Sequence, residues 1–272
     1  MDGLVQAYLA HLGVELWPDE APRALLARLH RAHVETLVFN NVDLLLGHSP
    51  RLDVDARLDK VLARRRGGYC FELNACFADL LRALGFEVRS GMARVLLGGG
   101  TPQTRQRSHH LLFVRLGDAE WLADVGFGGG GLLEPIPLRE AEFDQRQERL
   151  RLLPDGEAWR LKHRGREDWS DLYYFDLQPA YPIDFDAANF FIAHSPQSLF
   201  TNLLLVTRYT VAGQLALAAL RFTRREHGVE TTEAIADPQR LRQVLADEFG
   251  LAIDAGEATR LYDFAAAHPA PF

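Results

Sequence analysis

The chain has two cysteines, Cys70 and Cys76, and they sit in different company. Cys70 lies in Arg66-Gly67-Gly68-Tyr69-Cys70-Phe71-Glu72-Leu73-Asn74, just after two glycines that let the backbone turn tightly and a substrate come close. It also opens an apolar helical pattern. The free N–H groups and dipole of a helix start favour thiolate over thiol, and the thiolate is the attacking form in covalent catalysis. Cys76 falls in mid-helix with no glycine beside it, the setting of a small packed hydrophobe. On one helix the two α-carbons stand about 9 Å apart at 1.5 Å rise per residue, beyond disulfide reach. Their spacing is neither a zinc pair nor a redox CxxC, and two unpaired thiols suit a reducing compartment.

A cysteine nucleophile needs a base, and the base needs an orienting group. Of the ten histidines, His11, His30, His33, His48 and His268 stand alone on helices or at turns and read as surface or edge residues. His109-His110 instead opens a β run that leads into Asp124. If Gly117-Asp118 is a two-residue turn, Leu111 faces Asp124 and His109 lies diagonally adjacent on the same face. Such neighbours are roughly 7–8 Å apart at the backbone, within reach of a histidine–carboxylate hydrogen bond. A four-residue turn keeps this parity, whereas a three-residue turn favours His110; the two-residue turn selects His109. Asp124 sits in the apolar run Trp121-Leu122-Ala123-Asp124-Val125-Gly126-Phe127, where an unpaired carboxylate is costly. The competing readings are an aspartate that caps loop amides and an ordinary strand histidine.

Beyond Asp124 comes Gly126-Phe127-Gly128-Gly129-Gly130-Gly131. Backbone amides of such a run can approach a pyrophosphate or a thioester, and a flexible strand exit accounts for it equally. It lacks the Walker lysine and opens no helix, so it is no P-loop.

The elements that must position these residues fall into three stretches. Residues 1–85 read as a helical bundle carrying the nucleophile. Val5, Tyr8, Leu9 and Leu12 share one face before Gly13, and Leu25, Leu26, Leu29 and Ala32 repeat the pattern after Pro22. A helix over Asp55 to Arg66 ends at Gly67-Gly68, with Arg64-Arg65-Arg66 complementing its dipole. Another runs from about Cys70 to Gly85, burying Leu73, Phe77, Leu80, Leu81 and Leu84. Residues 86–185 read as an antiparallel sheet or barrel carrying the histidine and aspartate, with strands at Phe86 to Leu97, His109 to Leu116, Glu120 to Val125, Glu148 to Leu153 and Ala158 to His163. Residues 186–272 mix a short helix over Asp186 to Ala193, strands over Leu203 to Thr210, Gln214 to Thr223 and Val229 to Ile235, and two helices opened by Asp237-Pro238 and by Asp254 with Glu257. The fold class is α+β, with three subdomains around one cleft.

Composition narrows the function. The 272 residues are 47% apolar and 25% charged, those of an ordinary globular chain with an ample core. A net charge of −7 without a basic stripe argues against a nucleic-acid partner. The start Met-Asp-Gly-Leu-Val lacks a basic then apolar leader, and no run approaches 18 apolar residues. The expectation is a cytoplasmic chain with no membrane partner.

The residues resemble the arylamine N-acetyltransferases. That family's RGGYCxExN signature is present as Arg66 to Asn74, its H-x-L-L-x-V strand as His109 to Val114, and its D-V-G-F-G-G segment as Asp124 to Gly129. The likeness continues through Tyr181-Pro182 and from Asn189 to Phe200, over most of the chain. The resemblance implies a helical bundle, a β-barrel and an α/β lid around a papain-like core, with Cys70, His109 and Asp124 as its triad. It implies xenobiotic metabolism in which Cys70 takes acetyl from acetyl-CoA and passes it to an arylamine, arylhydroxylamine or hydrazine by ping-pong kinetics, with no metal. Phe39 and Phe127 match positions that line the acceptor pocket, against a plain reading as core, and Gly126 and Gly128 are the candidate contacts to coenzyme A. The family's V-P-F-E-N-L-D appears here as Leu37-Val38-Phe39-Asn40-Asn41-Val42-Asp43, a departure that bears on loop shape and acceptor preference. The rival readings are an amide synthase of the same family taking a carrier-protein thioester, a cysteine hydrolase or transglutaminase-like enzyme with the same triad, and a non-catalytic binding module.

Overall fold

A computed structural model describes residues 2–146, 148–165 and 168–270. Its first third is helical. α1 (Asp2–Leu12) and α2 (Pro22–Thr36) pack through Tyr8, Leu12, Leu26 and Leu29, all buried, and Pro22 opens α2 where its missing N–H costs nothing. A short strand, β1 (Phe39–Asn40), precedes the one-turn helix α3 (Val42–Leu45).

The single helix expected over Asp55 to Arg66 is different in the structure. Here α4 (Val54–Leu58) passes into a π-helical turn over Asp59–Ala63 and stops. Arg65 takes a left-handed φ of 52°, and Arg66 turns inward to pair with Asp43. Of the three arginines, Arg64 stays at the helix end as its C-cap, while Arg65 and Arg66 leave it. The next helix, α5 (Cys70–Ala83), buries Cys70, Phe71, Leu73, Cys76, Phe77, Leu80 and Leu81. It is nearly surrounded by protein because it faces α1, α4, β2 and β3 at once.

Eight antiparallel strands follow: β2 (Glu87–Val95), β3 (Arg107–Leu116), β4 (Ala119–Ala123), β5 (Ile136–Pro137), β6 (Ala141–Gln145), β7 (Glu148–Asp155), β8 (Ala158–Arg164) and β9 (Trp169–Phe175). Their order, β5-β4-β3-β2-β9-β8-β7-β6, curls into a nearly closed barrel. Leu111, Phe113, Leu122, Leu150, Leu152, Leu161 and Phe175 fill it. Three of these strands gave no clear sequence signal. β5 has two residues, β6 is an edge strand with no fully buried side chain, and in β9 Ser170 and Asp171 interrupt the apolar alternation. The β3–β4 turn is the two-residue one, since Leu116 pairs with Ala119 and Leu112 with Ala123.

The remainder comprises α6 (Pro182–His194), β10 (Leu205–Tyr209), β11 (Gly213–Ala218), β12 (Arg221–Glu226), β13 (Val229–Ala234), α7 (Pro238–Phe249) and α8 (Ala255–Ala267). The strand expected over Gln214 to Thr223 is in fact two. The chain reverses at Ala219-Leu220, with Ala219 at a φ of 49°. No Gly, Pro, Asn or Asp marks that turn, so periodicity read straight through it. α7 and α8 cover one face of the sheet through Leu241, Val244, Leu245 and Leu261. Both start on aspartate caps, Asp237 accepting from Arg240 N–H and Asp254 from Glu257 N–H. The five-stranded sheet runs β1-β10-β11-β12-β13, so a strand from the first 85 residues completes the C-terminal unit. Among the described residues, no helix is long and apolar enough to cross a membrane.

Candidate active site

The start of α5 is held by its own side chains. Glu72 Oε2 accepts the Tyr69 N–H at 3.1 Å, and Lys60 Nζ meets Glu72 Oε1 at 2.7 Å. Burial pushes the Glu72 carboxyl up, against the pull of Lys60 and of the Tyr69 amide. Cys70, the first residue of this helix, is 4% exposed. Its Sγ lies 3.8 Å from the Ser108 carbonyl oxygen.

His109 reaches the same point from β3. Its Nε2 donates to Asp124 Oδ2 at 2.7 Å, which leaves Nδ1 for the Cys70 sulfur, a contact that itself helps hold the imidazole proton. Burial works against the imidazolium, but the charge and hydrogen bond of Asp124 outweigh it, so His109 is pushed up to about 10. For Asp124 burial again opposes the charged form. Here His109, Asn74 and the Gly126 N–H override it and hold the carboxyl below its usual range.

Asn74, one turn after Cys70 on the same helix face, braces the aspartate. Its Nδ2 donates to Asp124 Oδ1 at 2.9 Å and to the His110 carbonyl at 2.7 Å, while its Oδ1 accepts Val125 N–H at 2.9 Å. The Asp124 backbone N–H donates to His30 Nε2 at 3.1 Å. The Tyr173 hydroxyl faces the carboxylate without hydrogen-bond geometry. The register thus brings His109, not His110, to Asp124. His110 points away, onto Ser90 Oγ at 3.0 Å and the Phe185 ring at 4.2 Å, and burial pushes it down to about 3.

Sequence reading missed Asn74 and misread His30 and His33, which are fully buried, not surface or edge residues. Both histidines lie on the α2 face that carries Leu26 and Leu29, and that helical spacing was the available signal. Cys76 is sealed in the core as expected, its thiol pushed up to about 12 by burial.

Beside Asp124, a narrow pocket is lined by Phe39, Val125, Phe127, Gly128 and Thr207. Phe127 meets the His109 ring edge-on at 5.3 Å, and Phe39 packs on Phe200 at 5.9 Å. A Cβ at Gly126 would stand 2.8 Å from Cys70 Cα, and Gly126 N–H donates to Asp124 Oδ1 at 3.1 Å. That amide is thus committed to the carboxylate and is not free for a pyrophosphate. Gly128, at a φ of 85°, has the Phe39 ring 3.0 Å from where its Cβ would be. The altered loop is well bonded: Asn40 Oδ1 accepts Val42 N–H at 3.0 Å, and Asn41 Nδ2 donates to Phe200 and Leu203 carbonyls at 2.8 and 2.7 Å.

A helix-borne cysteine facing a histidine and aspartate on a curled antiparallel sheet, under a covering α/β unit, defines a papain-like cysteine core. The N-acetyltransferase family model matches residues 24–258. An arylamine N-acetyltransferase / N-hydroxyarylamine O-acetyltransferase of Salmonella typhimurium is 41% identical over 260 residues, spanning 93% of this chain and 91% of that protein. The arylamine N-acetyltransferase of Escherichia coli is 39% identical over 232 residues, spanning 84% and 82%. Among solved structures, the S. typhimurium enzyme superposes with a TM-score of 0.90 at 36% identity, covering 98% of this chain and 99% of that one. The Mycobacterium marinum enzyme in complex with CoA does so with a TM-score of 0.88 at 26% identity, covering 96% and 99%. The chain belongs to the arylamine N-acetyltransferase family, and is a transferase.

Proposed function

We propose that this protein moves an acetyl group from acetyl-CoA to the nitrogen of an arylamine, arylhydroxylamine or hydrazine, by way of an acetyl-Cys70 thioester. The observation that carries the reading is the buried line from Cys70 through His109 to Asp124, closed by a 2.7 Å hydrogen bond. In the first half-reaction, Cys70 Sγ attacks the thioester carbonyl, the bond to the coenzyme A sulfur breaks, and His109 gives its proton to the departing thiolate. In the second, the amine attacks acetyl-Cys70, His109 takes the amine proton, and the Cys70 sulfur leaves. Asp124 holds the ring and balances the imidazolium throughout. Gly126 leaves the Cys70 backbone free of a Cβ and Gly128 gives way to the Phe39 ring, while Phe39 and Phe127 offer aromatic walls to a flat acceptor. Unpaired thiols at Cys70 and Cys76 agree with a cytoplasmic setting for this xenobiotic chemistry.

Acetyl-CoA alone is expected to leave one acetyl group per chain, mapped to Cys70 by peptide mass, and an arylamine or hydrazine is expected to discharge it as the acetylated amine. Cys70→Ser abolishes the label and Cys76→Ser keeps it. Asp124→Asn stays folded and loses transfer by about 1,000-fold or more. A label that survives Cys70→Ser refutes the nucleophile; discharge to acetate alone makes the protein a hydrolase.

A further inference from the structure

We propose that His30 is a positioning residue for the transfer reaction: it grips the backbone at both ends of the glycine-rich loop, at Asp124 and at Leu133, and so fixes where the Asp124 carboxylate stands. The proposal rests on the reading above, in which Asp124 orients His109. The geometry leaves His30 one role per ring nitrogen. Its Nε2 accepts the Asp124 N–H at 3.1 Å, and its Nδ1–H donates to the Leu133 carbonyl at 3.1 Å. An amide can only donate and a carbonyl only accept, so the ring is the neutral Nδ1–H tautomer. A second proton would set N–H against N–H at Asp124.

The ring has little room to move. It is 0% exposed and meets Phe77 edge-on at 5.7 Å. Burial holds it down to about 4, with Arg31 pushing the same way and the Asp124 charge opposing. The neutral form therefore persists through the neutral range. The clamped loop carries Gly126, whose N–H also binds Asp124, and Phe127, whose ring touches His109. One side chain from α2 thus fixes the aspartate and a wall of the pocket together. Groups displaced by about 1 Å can lose 100-fold in rate, so the clamp belongs to the reaction as well as to the fold.

His30→Phe keeps the ring and removes both hydrogen bonds. It is expected to lower kcat by about 10- to 100-fold while KM for acetyl-CoA changes by less than about threefold. His30→Gln, which restores one acceptor and one donor, recovers most of the rate. Iodoacetamide alkylation of Cys70 slows in His30→Phe. Added to Asp124→Asn, the same change slows alkylation no further, because His30 then has nothing to act through. Wild-type kcat in His30→Phe, or an equal further loss on the Asp124→Asn background, overturns the proposal. Should His30→Phe fail to fold, nitrogen NMR of the wild-type histidines decides, with His30→Gln giving the assignment. A neutral Nδ1–H ring at pH 7 supports the clamp, and an Nε2–H or cationic ring refutes it. A wild-type protein that transfers no acetyl defeats the function alone, since the alkylation and NMR results still judge the clamp.

Discussion

His109 keeps its proton far above the range of a free imidazole because a buried carboxylate lies 2.7 Å away. The consequence for stability has a definite sign. A histidine whose native pKa is about 10 against an unfolded value near 6.5 contributes fully below about pH 6.5, and loses that contribution as pH rises towards 10. Asp124, depressed in the native state, contributes fully above its unfolded value of about 3.9 and loses it as pH falls through the native value. Melting temperatures of wild type and His109→Gln, measured from pH 6.5 to 10, are therefore expected to converge as pH rises. A gap that stays constant across that window would remove the pair from the stability argument. At this scale the sequence was legible where chemistry is local: the glycines before Cys70, and the parity set by Gly117-Asp118. His30 was not legible, because its two partners lie 94 and 103 residues away and a lone histidine on a helix carries no mark of them.

Elements, too, were legible where one face is clearly apolar, as in α5, α7 and β3. Reading failed where the backbone departs from a regular repeat without a Gly or Pro to announce it. The π turn over Asp59–Ala63 and the reversal at Ala219-Leu220 are such places. The first of these matters to the site. Lys60, in the π turn, is 8% exposed and bonds Glu72, 1% exposed, which in turn holds the Tyr69 amide at the head of α5. Removing one partner of a buried ion pair strands the other charge. Lys60→Met is expected to cost about 3–5 kcal/mol in urea unfolding and to weaken transfer by loosening the start of the helix that carries Cys70. An unchanged unfolding midpoint would show Glu72 to be adequately served by its amide partner alone.

Across the whole molecule, the order helical, then β, then mixed was readable, yet the way these stretches join was not. The C-terminal sheet borrows Phe39–Asn40 as an edge strand, paired with Val206 and Thr207, a link over 160 residues that no local pattern encodes. Asn41 secures the junction, since its Oδ1 also accepts Leu205 N–H at 2.9 Å. Asn41→Ala leaves two carbonyls and an amide without their partner, at a cost of about 2 kcal/mol or more. Hydrogen exchange followed by mass spectrometry is expected to quicken in β10 while the barrel strands stay protected. Equal acceleration in both would point to general destabilisation.

The borrowed strand has a mechanical effect. Asn40 N–H donates to the Gly68 carbonyl at 2.8 Å, and Gly68 N–H to the Val38 carbonyl at 3.1 Å, so the covering sheet is stitched to the backbone two residues ahead of Cys70. It cannot hinge away without dragging that sulfur out of line with its imidazole. Departure of the acylated amine is therefore expected to need only local movement of the cleft's side chains, without an opening of that sheet.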